Sequence, residues 1–299
     1  MTRVMINKVT KDRISDLYLQ YKQLMTAHEK AIREIAIAEI PEMVYNSNAI
    51  ENSTLTLKDT EDILLRDSIK RDHDIREIYE AKNLAKITLQ LLEEPTKSLN
   101  IELILGLHKI LLHDIHNDWA GRFRSGKEWV RIGAHVGANP DFVVRLMDEL
   151  LDDYQKSDEL YFLEKIAWFH AEFEIIHPFN DGNGRIGRVL INQQLTSLGY
   201  PSVIIPNKGK RTDYYPAFDS YITTHKYDEF TSLFAVLLIE SLNKRIAILS
   251  SSRMITLSAW AKINRVPGNI ALNKAKRRTI PAFHMRGKWM ISADFKERP

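Results

Sequence analysis

Between residues 158 and 176, Leu160, Leu163, Ala167, His170 and Phe173 recur near helical spacing, the pattern of a helix with one face turned to a core. Similar spacing predicts helices over 9–38, 73–93, 141–155, 184–198, 212–224 and 227–249, the first of them rich in Ala, Glu, Lys and Leu. Asn100 is placed to cap another, running from Ile101 to Leu112. One stretch breaks the rhythm. Gly121, Gly126, Gly133 and Gly137 punctuate the chain between Trp119 and Pro140, around the β-prone run Trp129-Val130-Arg131-Ile132, which predicts a hairpin or extended loop.

From residue 251 the pattern changes. Thr256–Lys262 predicts a short helix, Val266-Pro267-Gly268-Asn269 a turn, and Ile270–Arg278 a second helix. Two short strands, Ile280–His284 and Lys288–Ile291, then flank Arg286-Gly287. Trp260, Ile263, Val266, Ile270, Phe283, Trp289, Ile291 and Phe295 are its candidate core. Charge separates this segment further. Residues 251–299 carry eleven Lys/Arg against two acidic residues, a net of +9, whereas the 299-residue chain totals only +3. A neutral-to-acidic body with a basic tail predicts two units with different partners. The expected domains are 1–95, 96–250 and 251–299.

Composition removes several functions. With no cysteine there is no disulfide, thiolate metal site or cysteine nucleophile. No apolar run reaches 18 residues, so no membrane span is expected, and the first residues lack a signal core. The expectation is a soluble, cytoplasmic protein. A chain this long can bury a core without staples.

The chemistry concentrates in His177-Pro178-Phe179-Asn180-Asp181-Gly182-Asn183-Gly184-Arg185-Ile186-Gly187-Arg188. Pro178 disfavours continuing the preceding helix. Gly182 and Gly184 let backbone come close to a ligand, and a new helix starts near Gly184. A glycine turn feeding a helix N-terminus offers unpaired N–H groups to an anion. Arg185 and Arg188 sit on neighbouring turns and can hold two phosphates. Asp181 is a hard oxygen ligand suited to a hydrated Mg²⁺, and His177 titrates in the range of a general base. No P-loop occurs.

This run resembles the Fic family motif HPFx[DE]GNGRxxR at every defined position. The resemblance spans roughly residues 40–245, with Glu102–Ile115 and Phe173 similar to core helices of the family. It implies a mainly α fold, a Fic-type helical bundle with a β-hairpin flap. It implies AMP transfer from ATP to a Ser, Thr or Tyr hydroxyl of a target protein, with His177 as base and Asp181 holding Mg²⁺ or Mn²⁺. Asn183, Gly184 and Arg185, with Gly182 and Gly187 in the same turn, would cradle phosphates, and Arg188 would clamp the γ-phosphate. Val130-Arg131-Ile132-Gly133 resembles the flap edge that aligns the target, and Tyr214-Tyr215 a tyrosine pair near adenine. Ser47-Asn48-Ala49-Ile50-Glu51-Asn52 resembles the inhibitory pattern [S/T]xxxE[G/N], which implies that Glu51 pairs with Arg188 where the γ-phosphate belongs.

Several readings stay open beside this one: removal of AMP by the same site, a UTP or phosphocholine-nucleotide donor, self-modification, and a homodimer. His170 reads as a packing histidine in preference to a metal ligand. Residues 255–291 resemble an excisionase- or MerR-type winged helix, which implies a small winged helix-turn-helix-like domain and duplex DNA as a partner, with a protein-docking role for residues 251–299 left open beside it. A DNA-binding regulator with a nucleotide-sensing body is the competing function.

Overall fold

The computed structural model describes residues 6–69, 72–94, 98–132 and 135–297, the side chains of Ile132 and His135 excepted. Among them the chain is mainly α-helical, with a two-stranded hairpin and a three-stranded sheet.

The expected 9–38 helix is two helices, α1 (Lys8–Ala27), capped by Asn7, and α2 (Glu29–Ile50). They part at His28, whose backbone leaves the helical region while its N–H still bonds the Leu24 and Met25 carbonyls. Neither Gly nor Pro marks the break, so the pattern runs through it. Pro41, the residue that reads as a breaker, lies inside α2. The helix α3 (Leu57–Arg66) is absent from the sequence reading. Its start is a capping box between Thr56 and Asp59, with Asp standing where the familiar signature has Glu or Gln. Next come α4 (Ile75–Glu93), α5 (Ile101–Leu111) capped by Asn100, the hairpin β1 (Arg131–Ile132) and β2 (His135–Val136), and α6 (Val143–Lys156). The motif lies between α7 (Phe162–Ile176) and α8 (Asn183–Ser197). The expected 212–224 helix opens as a wider π turn, Lys210–Tyr214, before α9 (Tyr215–Thr224). A regular helix begun at residue 212 would bond the N–H of residue 216 to the carbonyl of residue 212, and Pro216 has no N–H to give. The last long helix is α10 (Asp228–Ser250).

Two compact units emerge. One comprises Ala38–Tyr200 and Ile204–Leu233, and its core gathers Ile87, Ile104, Leu107, Met147, Phe169, Phe173, Phe179 and Ile186 from α4 to α8. The other comprises Ile6–Ile37, Pro201–Val203 and the chain from Phe234 onward. In it β3 (Met254–Thr256), α11 (Leu257–Ile263), α12 (Gly268–Lys276), β4 (Phe283–Met285) and β5 (Lys288–Ser292) follow in order, and the antiparallel sheet is ordered β3–β5–β4. Strand β3 escaped the sequence reading because three residues show no alternation. The small core holds Leu257, Trp260, Ala271, Ala275, Ile280 and Ile291. Ile263 and Ile270, expected inside, are 67% and 44% exposed. Alanines 271 and 275 form the inner face of α12, and they turn Ile270 outward.

Among the described residues no helix is long and apolar enough to cross a membrane.

Candidate active site

Helix α7 stops at His177, whose backbone turns left-handed (φ 50°, ψ 64°) ahead of Pro178. The His177 Nδ1 lies 3.1 Å from the Glu174 carbonyl oxygen. A carbonyl only accepts, so Nδ1 carries the proton and Nε2 keeps its lone pair. Burial pushes the imidazole down to about 4, so it is neutral at physiological pH. A neutral ring with a bare Nε2 is the state a general base requires.

Two residues outside the motif fix this turn. Arg124 is fully buried and donates to four backbone carbonyls: Nε to His177 at 2.7 Å, Nη2 to Ile176 at 2.9 Å and Ala138 at 2.5 Å, and Nη1 to Glu128 at 3.3 Å. His108, also buried, accepts at Nδ1 from the Gly121 N–H (3.1 Å), so its Nε2–H donates to the Asp181 carbonyl at 3.0 Å. Its ring stacks on Phe179 at 3.6 Å. Burial holds His108 down at about 4, which keeps this tautomer neutral. Neither residue carries a local sequence signature, since each reaches the motif from another part of the chain.

Within the turn, Gly182 takes φ 82° and caps α8. Asn183 is turned inward, where its amide oxygen accepts from the Phe179 N–H and its amide nitrogen donates to the Phe179 carbonyl, both at 2.8 Å. Its side chain thus staples the loop. A Cβ on Gly184 would collide with the Glu51 carboxylate, and one on Gly187 with the Glu174 carboxylate. Glu174 is buried, its Oε1 has no hydrogen-bond partner, and burial raises its pKa to about 8.

Asp181 and Arg185 belong to a closed ring of alternating charge. Arg185 reaches Asp181 Oδ1 and Glu80 Oε1, each at 2.9 Å. Arg76 reaches Asp181 Oδ2 at 2.5 Å and Glu80 Oε1 at 3.0 Å. Burial pushes the Asp181 carboxyl up, but Arg185 and Arg76 hold it below the usual range. An ionised, one-quarter-exposed carboxylate has the chemistry for a hydrated divalent cation, although Arg76 occupies its Oδ2 and Arg185 and the Gly182 N–H occupy its Oδ1.

Arg188 is buried and faces α2. Its Nη2 donates to Glu51 Oε1 at 2.8 Å and to the Ser47 carbonyl at 2.9 Å, and its Nε donates to Ser47 Oγ at 3.0 Å. Burial pushes Glu51 up, yet Arg188, then Arg185, bring it below the ordinary carboxylate range. The end of α2 is held from the 207–215 segment. Lys210 Nζ donates to the carbonyls of Ala49 (2.9 Å) and Ile50 (3.1 Å) and to Asn52 Oδ1 (2.9 Å), and the Tyr215 hydroxyl donates to Ile50 O at 2.9 Å. Asn207 N–H donates to Asn46 Oδ1 at 3.0 Å.

The structure therefore brings Ser47, Glu51, His177, Asp181, Gly184, Arg185 and Arg188 together. The tyrosine pair divides. Tyr214 is 2% exposed, its ring packed among His170, Phe218 and Phe230 and its hydroxyl 2.9 Å from His170 Nε2, so it offers no open face to a base. Tyr215 is 38% exposed. At the flap, Val130 O accepts from the Gly137 N–H at 3.0 Å, and Arg131 pairs with Val136 and Ile132 with His135. Gly133 lies outside the described residues.

Comparison with known proteins places a Fic/DOC family domain at residues 98–195. A protein adenylyltransferase fic-1 of Caenorhabditis elegans is 29% identical over 208 residues, 68% of this chain and 40% of that protein. A protein adenylyltransferase Fic of Nematostella vectensis is 34% identical over 192 residues, 62% of this chain and 43% of that protein. The chain spans about two fifths of the length of these curated relatives. Among solved structures, a Fic domain containing signaling protein from Bacteroides thetaiotaomicron superposes with a TM-score of 0.69 at 25% identity, covering 79% of this chain and 96% of its own. A Fic family protein from Desulfovibrio desulfuricans shares the fold over 99% of both chains, with a TM-score of 0.65 at 22% identity.

Proposed function

From its Fic domain as premise, we propose that this chain is a protein adenylyltransferase, moving AMP from ATP to a Ser, Thr or Tyr hydroxyl of a target protein. The observation that carries the reading is the neutral His177 beside the Gly182–Arg188 cradle, its Nε2 unprotonated. The target oxygen attacks the α-phosphorus and its proton passes to Nε2. The bond from the α-phosphorus to the bridging oxygen breaks, and pyrophosphate leaves. The N-terminal turn of α8 and Arg185 hold the phosphates, and Arg188 holds the γ-phosphate. Asp181 would hold Mg²⁺ or Mn²⁺, which supplies charge neutralisation on the triphosphate. The hairpin at Val130–Val136 aligns the target segment by strand addition.

Glu51 holds this activity in check. Its carboxylate sits on Arg188 and over Gly184, where a γ-phosphate would have to lie, so ATP binds with its α-phosphate out of line for attack. An inhibitor aimed at the γ-phosphate suits a nucleoside triphosphate donor. Removal of AMP by the same site, and self-modification, are further activities of this reading. Duplex DNA is the second partner proposed, for residues 251–299, on the strength of their net +9 charge.

The test is transfer of label from ATP by Glu51→Gly, Glu51→Gly with His177→Ala, and the unmodified chain. Glu51→Gly should raise auto- or target modification at least about tenfold, ~1.4 kcal/mol of barrier. The double variant should lose it by ~10²–10⁴-fold. An unchanged rate in Glu51→Gly with His177 still essential removes the inhibitory role alone. Full activity without His177 removes the enzyme assignment.

A further inference from the structure

We infer that Arg76 is the built-in competitor of the divalent cation at Asp181: in the metal-free protein its guanidinium fills Oδ2, and a cation that binds there turns it aside onto Glu80. The inference rests on the reading of Asp181 as the cation ligand, and it names the residue that sets how tightly the cation is held.

The two oxygens of Asp181 differ. Oδ1 accepts from the Gly182 N–H at 2.6 Å and from Arg185 Nη2 at 2.9 Å. Both donors are fixed, because Gly182 caps α8 and the Arg185 side chain is 3% exposed. Oδ2 accepts from Arg76 Nη2 at 2.5 Å. Arg76 stands at the rim, 44% exposed, so of these three donors it is the one that can leave. It keeps a partner when it does. A different nitrogen, Nε, donates to Glu80 Oε1 at 3.0 Å.

Local forces hold Arg76 weakly. Asp74 caps α4 by accepting from the Arg76 N–H at 2.9 Å, which places Arg76 in the first turn. The helix dipole favours an anion there, and Arg four residues before Glu is the weaker order for a helical pair. The carboxylates are what keep the guanidinium in place. Charge points the same way. Arg76 and Arg185 balance Glu80 and Asp181, and His108, which approaches Asp181 from α5, is neutral. With Arg76 turned aside, Asp181, Glu80 and Arg185 leave one negative charge to attract a cation. The two cannot share Oδ2. A cation at its usual ~2.1 Å and Arg76 at 2.5 Å would stand at most about 4.6 Å apart, like charges at a partly buried oxygen. Among the described residues no group of three acidic or histidine side chains is placed to hold a metal. A cation here therefore depends on Asp181 and water, and a competitor on that one carboxylate bears directly on its affinity.

The experiment is titration of Mn²⁺ into the full chain without nucleotide, with free Mn²⁺ read by electron paramagnetic resonance. Arg76→Gln should bind Mn²⁺ about three- to tenfold more tightly than the native chain, because the competent fraction rises when the competitor is removed. Asp181→Asn should abolish binding. Lys82→Gln removes a cation of the same helix that sits on Asp67 instead, and should leave the affinity unchanged. The rise in melting temperature that Mn²⁺ produces should follow the same order. Equal affinity in the native chain and Arg76→Gln, or no binding in either, overturns the inference. So does equal tightening by Lys82→Gln, which would reduce the effect to net charge. A merely structural Arg76 would lower the melting temperature on substitution and leave Mn²⁺ affinity where it was, which also overturns it. Undiminished binding by Asp181→Asn overturns the cation site and the inference together, while transfer through His177 keeps its own test in the Glu51→Gly background.

Discussion

At the scale of single residues, the site depends on which groups are neutral and which are absent. Burial keeps His177 near 4, so the proposed base is neutral at every pH above that. In Glu51→Gly enzyme, kcat/KM should stay level from about pH 8 to 6 and lose its acid limb well below the ordinary imidazole value of ~6.5. Loss of the Glu51 charge, which raises His177, pushes that limb lower still. A limb at 6.5 or above in the pH–rate profile contradicts this arrangement. Arg188→Ala should be inactive with or without Glu51, because the phosphate clamp itself is gone; a labelled-ATP assay of both backgrounds decides it. Missing atoms matter as much. Gly187 leaves room for the Glu174 carboxylate, so Gly187→Ala should cost ~1–3 kcal/mol of stability through overpacking, read as a lowered denaturation midpoint. The motif was legible in sequence because its chemistry is contiguous, with the glycines, arginines and base within twelve positions. Arg124, His108, Glu80 and Arg76 were not, because each acts from a distant element, and a lone arginine or histidine on a helix says nothing about the carbonyl or carboxylate it will meet.

At the scale of elements, the proposed control turns on the end of α2. Its last carbonyls are orphans of the helix, and Lys210 and Tyr215 satisfy them while Asn207 braces Asn46. A cation at a helix C-terminus also suits its dipole. Lys210→Met should loosen this end and raise auto-modification a few-fold, less than Glu51→Gly, and should add nothing when Glu51 is already glycine. Equal stimulation in both backgrounds, measured as initial rates, would place Lys210 outside the latch. Helix positions were largely legible, since apolar periodicity is local. Where helices break was less so: His28 parts α1 from α2 without Gly or Pro, and Pro216 turns the expected start of α9 into a wider turn. The pair at 214–215 shows the same limit. Two adjacent tyrosines on a helix point about 100° apart, so one enters the core with His170 and the other reaches α2.

At the scale of the whole molecule, three buried neutral histidines make the unit that holds the candidate site acid-sensitive. Burial lowers His108, His170 and His177 to about 4, 3 and 4, below the ~6.5 of an unfolded chain. The unfolded state therefore binds more protons as pH falls through 6.5, and native stability drops from there towards pH 4. Glu174, raised to about 8, works the other way, because the native state holds its proton where the unfolded chain has lost it. Three groups outweigh one, so the melting temperature should fall by several degrees between pH 7 and 5; calorimetry showing no fall contradicts the neutral assignments. The chain order has a further consequence for synthesis. Glu51 precedes Arg188 by 137 positions. At about 5–20 residues per second, α2 leaves the ribosome roughly 7–27 seconds before Arg188 does. On the proposed reading, the brake is thus already made when the cradle it would restrain is completed, and such an enzyme would have no unguarded interval during its own synthesis.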